Sequence, residues 1–397
     1  MFDSLRFSPI KVNIFSIITS ALIIFVIISA NSLFSNSLSI YSVADENRSN
    51  HRELRTHKIS QLLKSTSSDD QVRIKLTDKV TEEKGRIPEL KLFESTNLMP
   101  KFDSRVGKFF SRYECKAQFF MTWISPAESF GSREFFVIES LFKTNPTGCL
   151  IILSKTMDSR YGYRILKPLI KRGYGVEAIT PNLYSLFNNT PSEKWFDDIK
   201  NGKRDTGEIP LAQNLSNLIR LAVLYKFGGI YLDTDFIVLK DFSGLRNSIG
   251  AQSIDLNGNW TRLNNAVLAF DKKHPLLYMF MEEFALTFDG NRWGHNGPYL
   301  VSRVVDRVEK EKDFNFTVLP PMAFYPVDWI RVARFFARPN DQNGEKWIKA
   351  KLRQLKREAY GVHLWNRQSS RFNIEEGSII DRLISDRCIV CRYTYNS

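Results

Sequence analysis

One stretch restricts the fold more than any other: "LIRLAVLYKFGGIYLDTDFIVLK", residues 218–240. Leu215, Leu218, Ile219, Ala222 and Val223 recur at i, i+3, i+4, i+7 and i+8, the apolar face of a helix. Gly228 and Gly229 end that helix. "IYL" then reads as a buried strand, followed by Asp233 and Asp235 and a second apolar run, "FIVL". A buried strand does not normally carry two carboxylates one residue apart. The pair is expected at the carboxyl end of a central strand, where ligands sit in open α/β sheets.

The segments upstream supply the rest of such a sheet. "AQFFMTWIS" (117–125), "GCLIILS" (148–154) and "GVEAIT" (175–180) are short apolar runs of strand character. Between the first two, "SREFFVIESLFKTNP" has helical spacing and a closing Asn-Pro. Between the second and third, "YRILKPLIKRGYG" predicts a helix bent or started at Pro168 and ended by Gly173. The order β-α-β-α-β predicts an α/β fold with a Rossmann-like, mostly parallel sheet covered by helices on both faces.

The chain has 397 residues, 43% of them apolar and 25% charged, enough for a large packed core. Lysine and arginine total 56 against 43 acids, a net charge of +13. That balance admits nucleic acid, an anionic membrane surface or a phosphate-bearing substrate. No zinc-finger spacing, RNP-like motif or base-reading basic helix is present, so nucleic acid is not expected as a partner.

No charged residue occurs from Val12 to Ala44. Its apolar core, Ile14 to Ala30, has the length to cross a bilayer, and Arg6 and Lys11 before it favour a cytosolic N-terminus. The alternative is a cleaved signal peptide, for which the run is long and lacks a clean A-x-A site. A cytosolic tail (1–11), a transmembrane signal-anchor (12–34), a polar lumenal stem (35–110) and a catalytic domain (111–397) follow from this reading. N-x-[ST] sequons at Asn47, Asn188, Asn214, Asn259 and Asn315 fit a lumenal address.

The four cysteines suit an oxidising compartment. Cys115 precedes the first strand and Cys149 opens the second. Neighbouring strands lie about 4.8 Å apart, and a disulfide tolerates Cα separations of roughly 4.4–6.8 Å. A Cys115–Cys149 bridge is therefore expected, at the sheet edge opposite the aspartates. Cys388 and Cys391 would close a small loop, although "CIVC" also permits a redox or metal motif.

Two carboxylates at a broken strand end can share one divalent cation; manganese and magnesium suit oxygen donors and phosphate. A metal would also offset the burial of paired negative charge. The alternative is a β-turn carrying two solvated aspartates.

With these residues in view, the chain resembles the DXD-containing sugar transferases of glycosyltransferase family 32, in particular its α-1,4-glycosyltransferases. The likeness continues, in order, through "HPLLYMFMEEFA", "WGHNGPYLVSRV", "LPPMAFYPVDW" and "GVHLWN". It implies a GT-A fold, a nucleotide-sugar donor (a UDP-sugar), a divalent metal, manganese ahead of magnesium, and transfer with retention to a glycan or glycolipid acceptor. The apolar Ile14 to Ala30 segment, with Arg6 and Lys11 before it, predicts a type II membrane protein of the Golgi or a nearby compartment. Asp233, Asp235 and His363 match the metal and diphosphate site, His363 having a purely structural role as its alternative. Arg220 matches the arginine of the family's S-D-x-x-R stretch, whereas Asn217 stands where many members have aspartate. Trp123, ending the first strand, is placed to stack on uracil or to pack in the core. Lys155, after the second strand, is a further candidate cation for the donor.

Asn265 and Asn296 are the candidate sugar-facing residues. Neither is a good nucleophile, so covalent and front-face routes both stand. Trp293 in "WGHNGP" would shape the acceptor side, unless the segment is simply a packed turn. A silent carbohydrate-binding protein and a nucleotide-sugar hydrolase are the rival functions.

Overall fold

The computed structural model describes residues 97–311 and 314–391. The chain divides into Met1–Gly85 and Arg86–Ser397, and every described residue belongs to the second unit. The expected tail, the apolar span, most of the stem and the Asn47 sequon lie outside the described residues. Among the described residues no helix is long and apolar enough to cross a membrane.

A seven-stranded sheet organises the unit, in the order β3-β2-β1-β4-β7-β6-β8. Its strands are β1 Ala117–Thr122, β2 Gly148–Leu153, β3 Gly175–Ile179, β4 Gly229–Leu232, β6 Ser248–Ile254, β7 Trp260–Phe270 and β8 Thr317–Leu319. β5 Phe236–Val238 and β9 Gly361–His363 form a separate antiparallel pair. β1 to β4 are mutually parallel, β7 runs antiparallel to both β4 and β6, and β8 is parallel to β6. The sheet is thus mixed and mostly parallel, as the alternation of strands and helices predicts.

Numbering the longer helices only, α1 is Phe102–Arg112, α2 Ser132–Thr144, α3 Arg160–Ile170, α4 Ser192–Lys200 and α5 Leu211–Phe227. α6 is Pro275–Thr287, α7 Pro298–Val308, α8 Gln342–Glu358 and α9 Ile379–Arg387. Successive strand residues point to opposite faces, and both faces are apolar here. Phe119 and Met121 of β1 belong to one apolar cluster with residues of α2, α3 and α8, and Phe120 to another with residues of α1, α5 and α6. Phe119 and Phe120 are both fully buried; removing each from water is worth about 1.5–3 kcal/mol.

Local signals behave as their chemistry requires. α2 starts with the Glu134 carboxylate accepting from the Gly131 amide (2.9 Å), and α3 with Ser159 capping Gly162. Pro168 sits inside α3, close to its end. Packing begins upstream of the boundary placed at residue 111, since Phe102, Val106 and Phe109 of α1 are buried. Cys115 and Cys149 are bridged, Cα to Cα 5.5 Å, and Cys388 and Cys391 likewise at 5.0 Å. One sequon reading fails on placement: Asn214 lies buried in α5, out of reach of a modifying enzyme in the folded unit, whereas Asn188, Asn259 and Asn315 are exposed.

Candidate active site

The Gly-Gly hinge aims the aspartates. Gly228 (φ 73°) and Gly229 (φ 104°) occupy backbone regions open to glycine. A Cβ on Gly229 would stand 2.6 Å from the Gln118 carbonyl of β1. β4 can therefore enter the middle of the sheet directly from α5. It leaves at Asp233, whose amide still donates to the Ala266 carbonyl of β7 (2.9 Å). The chain then turns, Phe236 N–H donating back to Asp233 O (3.2 Å), and β5 pairs with β9 instead of continuing the sheet. That turn brings the two side chains to one side, and the register places Phe236 opposite His363.

Asp233, Asp235 and His363 each offer a donor atom, all within 4.8 Å of one another. His363 Nε2 lies 3.3 Å from Asp235 Oδ1, and the Asn366 amide donates to Asp235 Oδ2 (2.8 Å). Trp365 between them adopts a left-handed backbone (φ 56°), a costly conformation for a bulky residue that is held where the surroundings fix it. Its amide meets His363 Nδ1 at 3.3 Å and its indole donates to the Val327 carbonyl at 2.9 Å.

α5 supplies the other side. Asn214, Asn217 and Arg220 recur at i, i+3 and i+6, one polar stripe on a helix otherwise buried in apolar contacts. The Arg220 guanidinium, almost wholly buried, grips Asp233 through Nη1–Oδ2 (3.3 Å) and Nη2–Oδ1 (3.1 Å). It also donates to the Asn265 carbonyl (2.9 Å) and lies 4.6 Å from the ring centre of Tyr231, whose hydroxyl donates to Asp233 Oδ1 (3.0 Å). Burial raises the Asp233 carboxyl above its ordinary range, with Arg220 working against the shift. Burial also pushes the Tyr231 hydroxyl up, so it stays a donor. Next to this network, the Asn265 amide donates to Asn217 Oδ1 (3.0 Å). A Cβ on Gly297 would come within 3.0 Å of that same Asn217 oxygen. The cleft around these groups measures about 590 Å³.

Two family descriptions match the chain. Residues 131–254 match the glycosyltransferase sugar-binding region containing the DXD motif, and residues 269–395 match the alpha 1,4-glycosyltransferase conserved region. An uncharacterized Arabidopsis thaliana protein is 31% identical over 299 residues, 73% of this chain and 44% of its own length. Human lactosylceramide 4-alpha-galactosyltransferase is 32% identical over 263 residues, 63% of this chain and 69% of that enzyme. The chain belongs to the α-1,4-glycosyltransferase family. It spans less than half of the Arabidopsis relative. Among solved structures, PaToxG glycosyltransferase is similar at 16% identity with a TM-score of 0.37, covering 72% of this chain and 90% of that one, a likeness too slight to bear on the fold.

Within this member of the family, Asp233 and Asp235 fall in the first matched region and His363 in the second. Two carboxylates and an imidazole within 4.8 Å fit a divalent cation. Trp123, Asn217, Arg220 and Asn265 line the same cleft. Trp123 donates to the Pro126 carbonyl (3.1 Å) and meets Phe130 edge-on, so it serves packing and cleft together.

Lys155 and Asn296 do not line the cleft. Lys155 follows β2, two strands away from β4. Asn296 is buried in its own loop, donating to Asn214 Oδ1 (3.0 Å) and the Asp289 carbonyl (2.8 Å) and accepting from the Asp289 amide (3.1 Å). It braces the Trp293 segment rather than facing a sugar. Sequence reasoning missed Gln252, Arg262, Asn264, Trp329 and Arg367, all in the cleft wall. Only the clustering of tryptophan and arginine around the "HLWNR" and "VDW" segments hinted at the last two.

Proposed function

We propose that the protein is a metal-dependent, retaining transferase of GT-A type. It moves a hexose or N-acetylhexosamine from a UDP-sugar to a glycan or glycolipid acceptor, forming an α-1,4 linkage, and works from a type II position in the Golgi membrane. The observation that carries this is the convergence of Asp233, Asp235 and His363 at the end of the central strand, braced by Arg220, in a cleft large enough for a nucleotide sugar.

Asp233, Asp235 and His363 would hold a divalent cation, manganese ahead of magnesium because an imidazole joins the carboxylates, and that cation supplies Lewis-acid stabilisation to the departing diphosphate. Arg220 fixes the Asp233 carboxylate so that its orientation costs nothing at the moment of reaction. Trp123 offers an aromatic face at the end of β1 for the uracil. Asn217 and Asn265, locked to each other, present amide groups beside the metal site. Among the described residues that line the cleft, Asp233 and Asp235 are the only carboxylates. A double displacement needs a further carboxylate beneath the sugar, so the cleft favours front-face displacement. The acceptor oxygen bonds to the anomeric carbon on the face that the diphosphate leaves, and the acceptor proton passes to the departing phosphate oxygen.

The test is a screen of nucleotide sugars against the full chain, read by nucleotide release with and without glycan acceptors, before and after chelation. Manganese-dependent release from a UDP-sugar that rises with acceptor is the expected result. Activity that survives exhaustive chelation overturns the metal assignment, and release indifferent to every acceptor would leave a hydrolase. Protease treatment of sealed microsomes should spare the Asp233 region.

A further inference from the structure

The cleft has a second charged wall that the metal chemistry does not use. Arg262 lies on β7, four residues outward from Ala266, the residue that pairs with Asp233. At a strand rise of about 3.3 Å that is roughly 13 Å from the metal pair. β7 flanks β4 on the side opposite β1, so this wall faces away from Trp123 and the uracil position. Arg262 rests on the Tyr299 ring at 4.2 Å. Arg367 rests on the Trp293 ring at 3.7 Å, joining the segment after β9 to the loop before α7. Among the described residues neither guanidinium meets a carboxylate. Both line the cleft, beside exposed Trp293 and Trp329.

Asn214 adds a further unpaired donor beside the cleft. It is 3% exposed and lines the cleft, its oxygen is taken by Asn296, and its Nδ2 has no partner among the described residues. Buried amide groups are normally satisfied. One acceptor of this wall, Gln252 Oε1, already takes the Asn264 amide at 2.9 Å. The wall is dominated by two guanidinium groups set on flat aromatic surface. A neutral sugar presents hydroxyls that need acceptors as well as donors. A carboxylate needs donors alone, and arginine meets it in a planar fork.

We propose that this wall is an acceptor subsite for an acidic glycan, one whose sugar carries a carboxylate held by Arg262 and Arg367 while its ring lies on Trp293 or Trp329. This rests on the transferase reading and narrows its acceptor class.

The test is direct binding of three oligosaccharides to the full chain, alike except that the end sugar is glucuronate, glucose or glucose 6-sulfate. The glucuronate form should bind about tenfold or more tightly than the glucose form at low salt. Arg262→Gln and Arg367→Gln, checked for an unchanged melting midpoint, should each remove most of that preference, and Arg262→Lys should restore part of it. Equal affinity for glucuronate and glucose forms overturns the proposal. So does a preference that survives both glutamine variants, or one confined to the sulfate. Sulfate binding on a par with glucuronate supports it and widens the ligand to anionic sugars generally. Nucleotide-sugar turnover without acceptor, measured in parallel, reports on the donor-site reading alone, so either can fail without the other.

Discussion

On the wall that carries Asp233, Asp235 and His363, each polar group is held by at least one other. Arg220 grips Asp233 at two points, Tyr231 adds a third, the Asn366 amide holds Asp235, and Asp235 meets His363. On the wall that carries Arg262, Tyr299, Trp293 and Arg367, the side chains are more open to solvent and rest on one another by stacking. The first wall has to keep charge in place for a reaction whose geometry is the same at every turnover, and preorganisation is what lowers such a barrier. The second has to admit a partner of variable shape and let the product go. Rigidity is thus concentrated where the chemistry is fixed, while the Trp293 loop is braced from behind by Asn296 and meets the rest of its wall by stacking on Arg367.

The comparison is broken most severely at the aspartates. Asp233→Asn or Asp235→Asn should lower turnover by at least about 100-fold, measured as nucleotide release, while thermal unfolding stays cooperative. Both sit at a strand end, so unfolding should stay cooperative in each, with Asp233→Asn the less stable because it leaves the buried Arg220 without its charge partner. Next comes Arg220. Arg220→Met leaves the Asp233 carboxylate buried without its partner, and breaking such a pair costs about 3–5 kcal/mol. Adding Asp233→Asn to Arg220→Met should recover part of that loss, because the uncompensated charge is gone. Denaturant unfolding of the two single variants and the double variant gives the coupling energy. A strictly additive result would mean that the two residues do not depend on each other.

How much of this was legible in the sequence follows the same division. β1, β2 and β3, with α2 and α3 between them, follow from apolar runs and helical spacing, since local periodicity fixes local structure. The Asp-x-Asp site was legible because a helix stop, a strand and the carboxylates are contiguous, and the family likeness added His363. Lys155 and Asn296 were misplaced for one reason. Standing just after a strand, or in a loop of glycine and tryptophan, does not say which way a side chain points. Apart from Trp293, the stacked acceptor-side wall was missed because its parts come from β6, β7, the loop before α7 and the segment after β9, brought together only by the antiparallel return of β7 beside β4. No short-range pattern encodes that return. Asn214 shows the converse case, a sequon by pattern that is a buried helix residue by structure.

The open wall should answer substitution more mildly. Trp293 is 51% exposed, so Trp293→Ala should leave the melting midpoint nearly unchanged. It removes one stacking plate, and aromatic contacts of this kind are worth about 0.5–1.5 kcal/mol. The acceptor KM should therefore rise by about twofold to tenfold, with less change in kcat. Should kcat fall as far as it does for the aspartate variants, the contrast between the walls would be wrong.

The smallest effect expected is on pH dependence, and it arises behind the Trp293 loop. Glu283 of α6 lies between Arg303 (2.9 Å) and Arg307 (2.7 Å) of α7, and Arg303 also donates to the Thr287 hydroxyl (3.1 Å). His295 Nε2 lies 2.8 Å from the Thr287 carbonyl. These contacts tie both ends of the loop to one carboxylate. Burial works to raise the Glu283 carboxyl, but hydrogen bonds from Arg303 and Arg307 outweigh it and hold the group below its ordinary value. A depressed folded value adds stability that is fully present above the unfolded value of about 4.3. It is lost as pH falls below that point and through the lower folded value. Between pH 6 and 8 Glu283 should contribute no slope. In the acid range the wild type should lose stability faster than Glu283→Gln, which keeps the shape and removes the titrating charge. Melting midpoints of both proteins from neutral to acid pH measure the difference. If the loop is fastened as described, acid should also raise the acceptor KM in the wild type before it lowers kcat, because Glu283 supports the stacked wall and does not touch the braced one. Parallel pH profiles for the wild type and Glu283→Gln would remove this group from the explanation.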